Sequence, residues 1–223
     1  MRQVPRDKRI SHSVSARLKL RPMTPDLFTA LIAFAFVTVM TPGPNNFMLM
    51  ASGANFGFRR TLPHMAGVGL GFPAMCFCVG LGVMRLFDLW PPAYAILTVL
   101  SVAYMLYLAW KIANAAAPAR GEEDVSVDGT PLSFLQAAAF QWVNPKAWSM
   151  ALSAITLYAP GKSLGAVLWV VGAYIACSMV STTSWTSIGT TLRRFLQEPR
   201  RLRLFNWTMA GLLVASLIPV ILG

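Results

Sequence analysis

From Leu27 to Ala51 the chain carries no charged side chain, and within that run stands Met40-Thr41-Pro42-Gly43-Pro44-Asn45-Asn46. An uninterrupted apolar stretch of this length crosses a bilayer as a single helix. Two prolines and a glycine argue against one. Each proline lacks an amide donor and disfavours helical geometry in the residue before it, and Gly43 adds no restraint of its own. The helix is therefore expected to unwind here. Hydrocarbon cannot satisfy the freed carbonyls and amides, so an opened stretch survives only against other protein or along a watery cavity, as in transporter binding sites. The break is read as part of a substrate site.

Of the 223 residues, 56% are hydrophobic and 12% charged, and the apolar residues fall in long blocks. The expected fold class is an all-α, multi-pass membrane protein. Six stretches approach the ~20 residues that cross the hydrocarbon. They run over about 27–51, 65–85, 91–111, 134–158, 164–189 and 205–222. The net charge of +11 suits nucleic acid in principle, but the basic residues flank apolar spans instead of forming a soluble face. Anionic lipid headgroups are the simpler partner, and no nucleic acid is expected. Cys76, Cys78 and Cys177 have no metal-ligand spacing, and Cys76 and Cys78 project in separate directions from one helix. They read as small core residues.

Residues 1–22 hold Arg2, Arg6, Lys8, Arg9, Arg17, Lys19 and Arg21 against Asp7 and show no apolar periodicity. A disordered basic tail is expected, not a signal peptide, because the apolar run after it is too long for an h-region. Met23 offers an alternative translation start, which makes the tail an extension. Residues 113–133 form a polar connection in which Glu122, Glu123, Asp124 and Asp128 sit among Gly, Pro and Ser. It reads as a solvated linker and not a metal-binding carboxylate cluster.

The linker separates a first three-helix repeat over 23–112 from a second over 134–223. Pro44-Asn45-Asn46 and Pro145-Lys146-Ala147 place a proline break in the first span of each half. An odd number of spans per half makes the second copy run upside down. The expected architecture is six transmembrane helices as two inverted repeats, each with a broken first helix and with the site between them. Outside the tail, Arg59, Arg60, Lys111, Arg120, Arg193, Arg194, Arg200, Arg201 and Arg203 mark the odd connections, whereas Arg85 and Lys162 are all the even ones hold. The positive-inside rule puts the odd connections in the cytoplasm, with both termini outside. The tail argues the opposite, and a start at Met23 removes that conflict.

Lys146 is the only charged residue in the fourth apolar stretch and lies at its centre. A cation there costs about 2.5–3.5 kcal/mol on insertion scales, so it is a functional candidate, able to meet a substrate carboxylate. Its alternative is a lysine snorkelling to a headgroup. Asn45, Asn46, Gln141 and Asn144 can each donate and accept, which suits a zwitterion carrying an ammonium and a carboxylate. Half-helix N-termini favour the carboxylate and unwound carbonyls the ammonium, although the same amides can simply cap broken helices. Gly67, Gly69 and Gly71, with Gly80 and Gly82, are expected to give the second span a face for close helix approach, and not a phosphate loop, since no strand precedes them. Trp90, Trp110, Tyr158 and Trp207 fit interfacial belts. No Asp or Glu lies inside any span, so proton coupling, if present, falls to Asp26, Asp88, His64 or the substrate.

Taken together, Met40–Asn46, Gly57-Phe58-Arg59, Ala66-Gly67 with Leu70-Gly71-Phe72, Ala103-Tyr104 with Leu108-Ala109-Trp110-Lys111, and Phe140-Gln141-Trp142-Val143-Asn144-Pro145-Lys146 resemble the LysE/RhtB family of bacterial amino-acid exporters. The resemblance covers about 23–223. The double asparagine and the Gly-Phe-Arg look most like the subgroup of cysteine and O-acetylserine exporters. The resemblance implies export of an amino acid across the bacterial inner membrane, driven by protons, through six helices in two inverted halves, with a homodimer as an option. The family's signature carries over onto Pro42, Gly43, Pro44, Asn45 and Asn46, and its second-half element onto Asn144, Pro145 and Lys146. The tail departs from the family pattern. No enzyme activity and no cofactor are expected. Two other functions fit the residues less well. A thiol-electron carrier needs Cys76 or Cys78 to face Cys177, and heavy-metal efflux needs a ligand set that the spans do not supply.

Overall fold

The computed structural model describes residues 24–84, 89–90, 92–115, 130–161 and 163–218. The tail, Met23, Arg85, Asp88, Lys162 and the linker acids Glu122, Glu123, Asp124 and Asp128 lie outside the described residues. Helix α1 spans Pro25–Met40, α2 Pro44–Phe56, α3 Phe58–Gly80, α4 Pro92–Ala113, α5 Phe134–Val143, α6 Pro145–Tyr158, α7 Leu164–Arg193 and α8 Pro199–Ala215.

Local chemistry sets the boundaries. Thr24 caps α1, its Oγ1 accepting from the Leu27 amide at 3.3 Å, with Pro25 in the first turn. Pro42 and Pro44 then stop α1 and start α2, and the two helices meet at a bend of 57°. Gly57, with φ of 80°, lets α2 turn directly into α3. The second span, expected over about 65–85, is α3, which begins at Phe58 and runs on through Pro63. Arg59 and Pro63 both face outward, so the carbonyl that Pro63 leaves unbonded points away from the core. Ser133 and Gln136 form a capping box at α5, with bonds of 3.0 and 3.3 Å.

Among the described residues α3, α4 and α7 are each long and apolar enough to cross a membrane, and the bent pair α1–α2 makes a fourth when taken as one span. The stretch 134–158, expected to break at its proline, is divided at Asn144 into α5 and α6.

Helix α7 occupies the centre, packed against α1, α2 and α3. A Cβ at Gly189 would run into the Met50 carbonyl, and one at Gly53 into the Thr186 carbonyl, so α2 and α7 approach at backbone distance. Gly67 and Gly71 do the same for α3 against Phe134, Ala137 and Ala138 of α5, and Gly80 meets Val167. Two glycines of the expected packing face belong elsewhere: Gly69 faces open space, and Gly82, with φ of 97°, lies in the turn after the helix. The larger apolar cluster joins Leu31, Phe72, Met75, Ala151, Val170 and Tyr174, with Phe72 edge-on to Tyr174 at 4.8 Å. Cys76 and Cys177 sit in that cluster, and Cys177 Sγ is 3.8 Å from the Ile32 carbonyl.

Candidate functional site

The two proline breaks meet. At the end of α1 the backbone leaves helical geometry over Thr41, Pro42 and Gly43, which frees carbonyls that a continuous helix would have bonded. Three donors from three elements converge on them. Asn46 Nδ2 donates to Val39 O at 2.8 Å and Thr41 O at 2.9 Å. Ser181 Oγ of α7 donates to Val39 O at 2.8 Å. Lys146 Nζ, from the first turn of α6, donates to Thr41 O at 2.6 Å and Pro42 O at 3.2 Å. An ammonium at a helix C-terminus also meets the negative end of the dipole, so Lys146 is bonded twice and electrostatically favoured.

The lysine's approach explains Gly43. Its backbone is fully extended, a conformation open to any residue, so the break does not itself require glycine there. A Cβ at this position would stand 2.8 Å from Lys146 Cδ and 3.0 Å from Nζ. Gly43 is therefore the space through which the ammonium reaches the carbonyls.

At the second break Asn144 ends α5 and begins α6, its Oδ1 accepting from the Lys146 amide at 3.1 Å. Trp148 Nε1 donates to Trp142 O at 2.8 Å across the same bend. Gln141, fully buried, exchanges hydrogen bonds of 2.9 and 3.1 Å with Asn45, tying α5 to the first turn of α2.

A cavity of about 30 Å³ lies between these parts, and Gly43, Asn45, Asn46, Asn144 and Lys146 all line it. Of the other expected site residues, Pro44 and Pro145 open α2 and α6, Pro42 supplies a carbonyl, and Gln141 stands behind Asn45. Gly43 leaves the start of α2 without a side-chain cap. The first-turn amides of Asn45 and Asn46 have no intrahelical acceptor, so positive potential faces the cavity.

The remaining wall escaped the sequence reading. Ser178, Ser181 and Thr182 of α7 line the cavity beside Thr38 of α1, whose hydroxyl is 3.3 Å from Tyr174 Oη. The signal was present: 178, 181 and 182 recur at helical spacing on one face, followed by Thr186. Ammonium, amides, hydroxyls and an open helix start around one small cavity offer partners to both charges of a compact polar molecule. Among the described residues no group of three or more His, Cys, Asp or Glu is placed to hold a metal ion.

A family model described as LysE type translocator matches residues 36–219. The chain is similar to the cysteine/O-acetylserine efflux protein of Escherichia coli (strain K12), at 34% identity over 86% of this chain and 96% of the relative. It is equally similar to the protein of that description from Shigella sonnei (strain Ss046), at 34% identity with the same coverage, 86% and 96%. No solved structure matches.

Proposed function

The chain belongs to the LysE type translocator family, and on that premise we propose that it exports a small zwitterionic amino acid across the bacterial inner membrane. Cysteine and O-acetylserine, named for its relatives, or another neutral amino acid are the substrates that the cavity chemistry suits. In this reading the chain crosses the membrane six times as two inverted three-helix halves, and the proton gradient drives export.

One observation carries the reading: a single ammonium, Lys146, bridges from the second break to the opened carbonyls of the first. Those carbonyls are where a substrate ammonium would bind, and here the protein's own ammonium holds them. An incoming amino acid competes for Thr41 O and Pro42 O, and displaced Lys146 turns to its carboxylate. The uncapped amides of Asn45 and Asn46 assist at the same carboxylate. Exchanging one ammonium for another keeps the freed carbonyls bonded throughout, which lowers the cost of opening the site.

The test is export from intact cells or uptake into everted vesicles, loaded with single amino acids, with and without a proton gradient. Gradient-dependent movement of a neutral amino acid is expected. If no amino acid moves under any condition, the reading is wrong.

A further inference from the structure

Helices α2 and α3 line a second cavity beyond the break, of about 180 Å³, with Met48, Ser52, Asn55, His64, Leu108 and Lys111 in its wall. Asn45 and Val68 line the first cavity; Met48 lies one turn beyond Asn45 on α2, and His64 one turn from Val68 on α3. The two cavities are thus consecutive compartments along one helix pair.

Most polar groups of the second compartment are already engaged. Ser52 and Thr61 share a hydrogen bond of 3.0 Å. Asn55 and Asn206 exchange bonds of 2.8 and 3.0 Å. His64 differs. It is 2% exposed, and neither Nδ1 nor Nε2 has a partner among the described residues. Buried polar atoms are ordinarily paired, and a histidine kept only for packing would be replaced at no loss by an apolar side chain. A neutral imidazole presents one donor and one acceptor, and half-buried Lys111, in the last turn of α4, adds an ammonium. Met48 and Leu108 supply an apolar wall. A cation, a donor and an acceptor facing an apolar surface suit a molecule with a carboxylate, a polar hydrogen and a short side chain.

We propose that the His64 cavity is a second amino-acid site, in which the exported zwitterion is held by Lys111 and His64 one helical turn from the breaks. The ligand's identity rests on the proposed export function, whereas the site rests on its own geometry. Two sites in series let one substrate wait while another crosses the breaks.

The test is calorimetric titration of the full chain in lipid nanodiscs with O-acetyl-L-serine, L-cysteine and L-serine in turn. Two binding events are expected for at least one of them. K146M should remove one event and leave the other, H64F should remove that other, and H64Q, which keeps a donor and an acceptor, should retain it. K111Q, a mild change at a half-buried position, should weaken the same event about tenfold or more, which covers a failure of H64F to fold. A single event untouched by H64F and K111Q overturns the proposal, as does a lipid that native mass spectrometry finds in this cavity and that none of the three amino acids displaces. An event lost in H64F but no event lost in K146M contradicts the break site and supports this one. Absence of any binding overturns both.

Discussion

At the first break three residues separate α1 from α2, and the freed carbonyls are satisfied by Asn46 of α2 and, from a distance, by Ser181 of α7 and Lys146 of α6. At the second, Asn144 closes α5, opens α6 and accepts from the Lys146 amide, and Trp148 bonds back across the bend to Trp142 O. The first break is rich in acceptors and depends on its neighbours, and the second is a self-capped turn that sends out one donor. A lesion at the first should therefore spread through the core, whereas one at the second should stay local unless it removes the lysine.

The largest effect is expected where the breaks touch. K146M takes a charged donor from two carbonyls and a cation from the substrate, and charged hydrogen bonds contribute about 1.5–3 kcal/mol, so export should fall roughly tenfold to a hundredfold. Undiminished export would leave the two breaks unrelated. N46A strips a donor from two carbonyls at once. It should destabilise the solubilised protein by about 1–3 kcal/mol, read as a lowered midpoint of denaturant unfolding. N144A removes only a local cap, so a loss of about 1 kcal/mol is expected in the same measurement. If N144A were the more damaging of the two, the contrast between an acceptor-rich break and a self-capped one would fail. S181A should have the smallest effect, near the lower end of about 0.5–1.5 kcal/mol, because Asn46 still bonds Val39 O.

Both breaks were legible because proline acts locally: Pro42, Pro44 and Pro145 stop or start helices whatever surrounds them. That locality has a limit at Pro63, which α3 accommodates while Arg59 faces outward, a fact only the tertiary fold supplies. Gly43 was located correctly but for an incomplete reason, since its role is room for a side chain from a distant helix. Ser178, Ser181 and Thr182 went unread because hydroxyls in apolar helices commonly bond their own preceding turn, as Thr38 does with Phe34 O at 2.8 Å. Sequence gives no means of knowing that Ser181 instead crosses to Val39. Nor does it tell which amides pair, so Gln141 was expected in the cavity and stands behind Asn45.

The central claim is that an ammonium from the second break serves the carbonyls of the first within one substrate site. K146C, made alongside C78A, tests it through chemical rescue. An aminoethyl thiosulfonate reagent rebuilds an ammonium on an arm close to lysine in length, and a methyl thiosulfonate adds none. The account predicts that K146C exports poorly, that the aminoethyl adduct restores export while the methyl adduct does not, and that the exported amino acid slows labelling. Equal export by both adducts, or labelling indifferent to the amino acid, would contradict it.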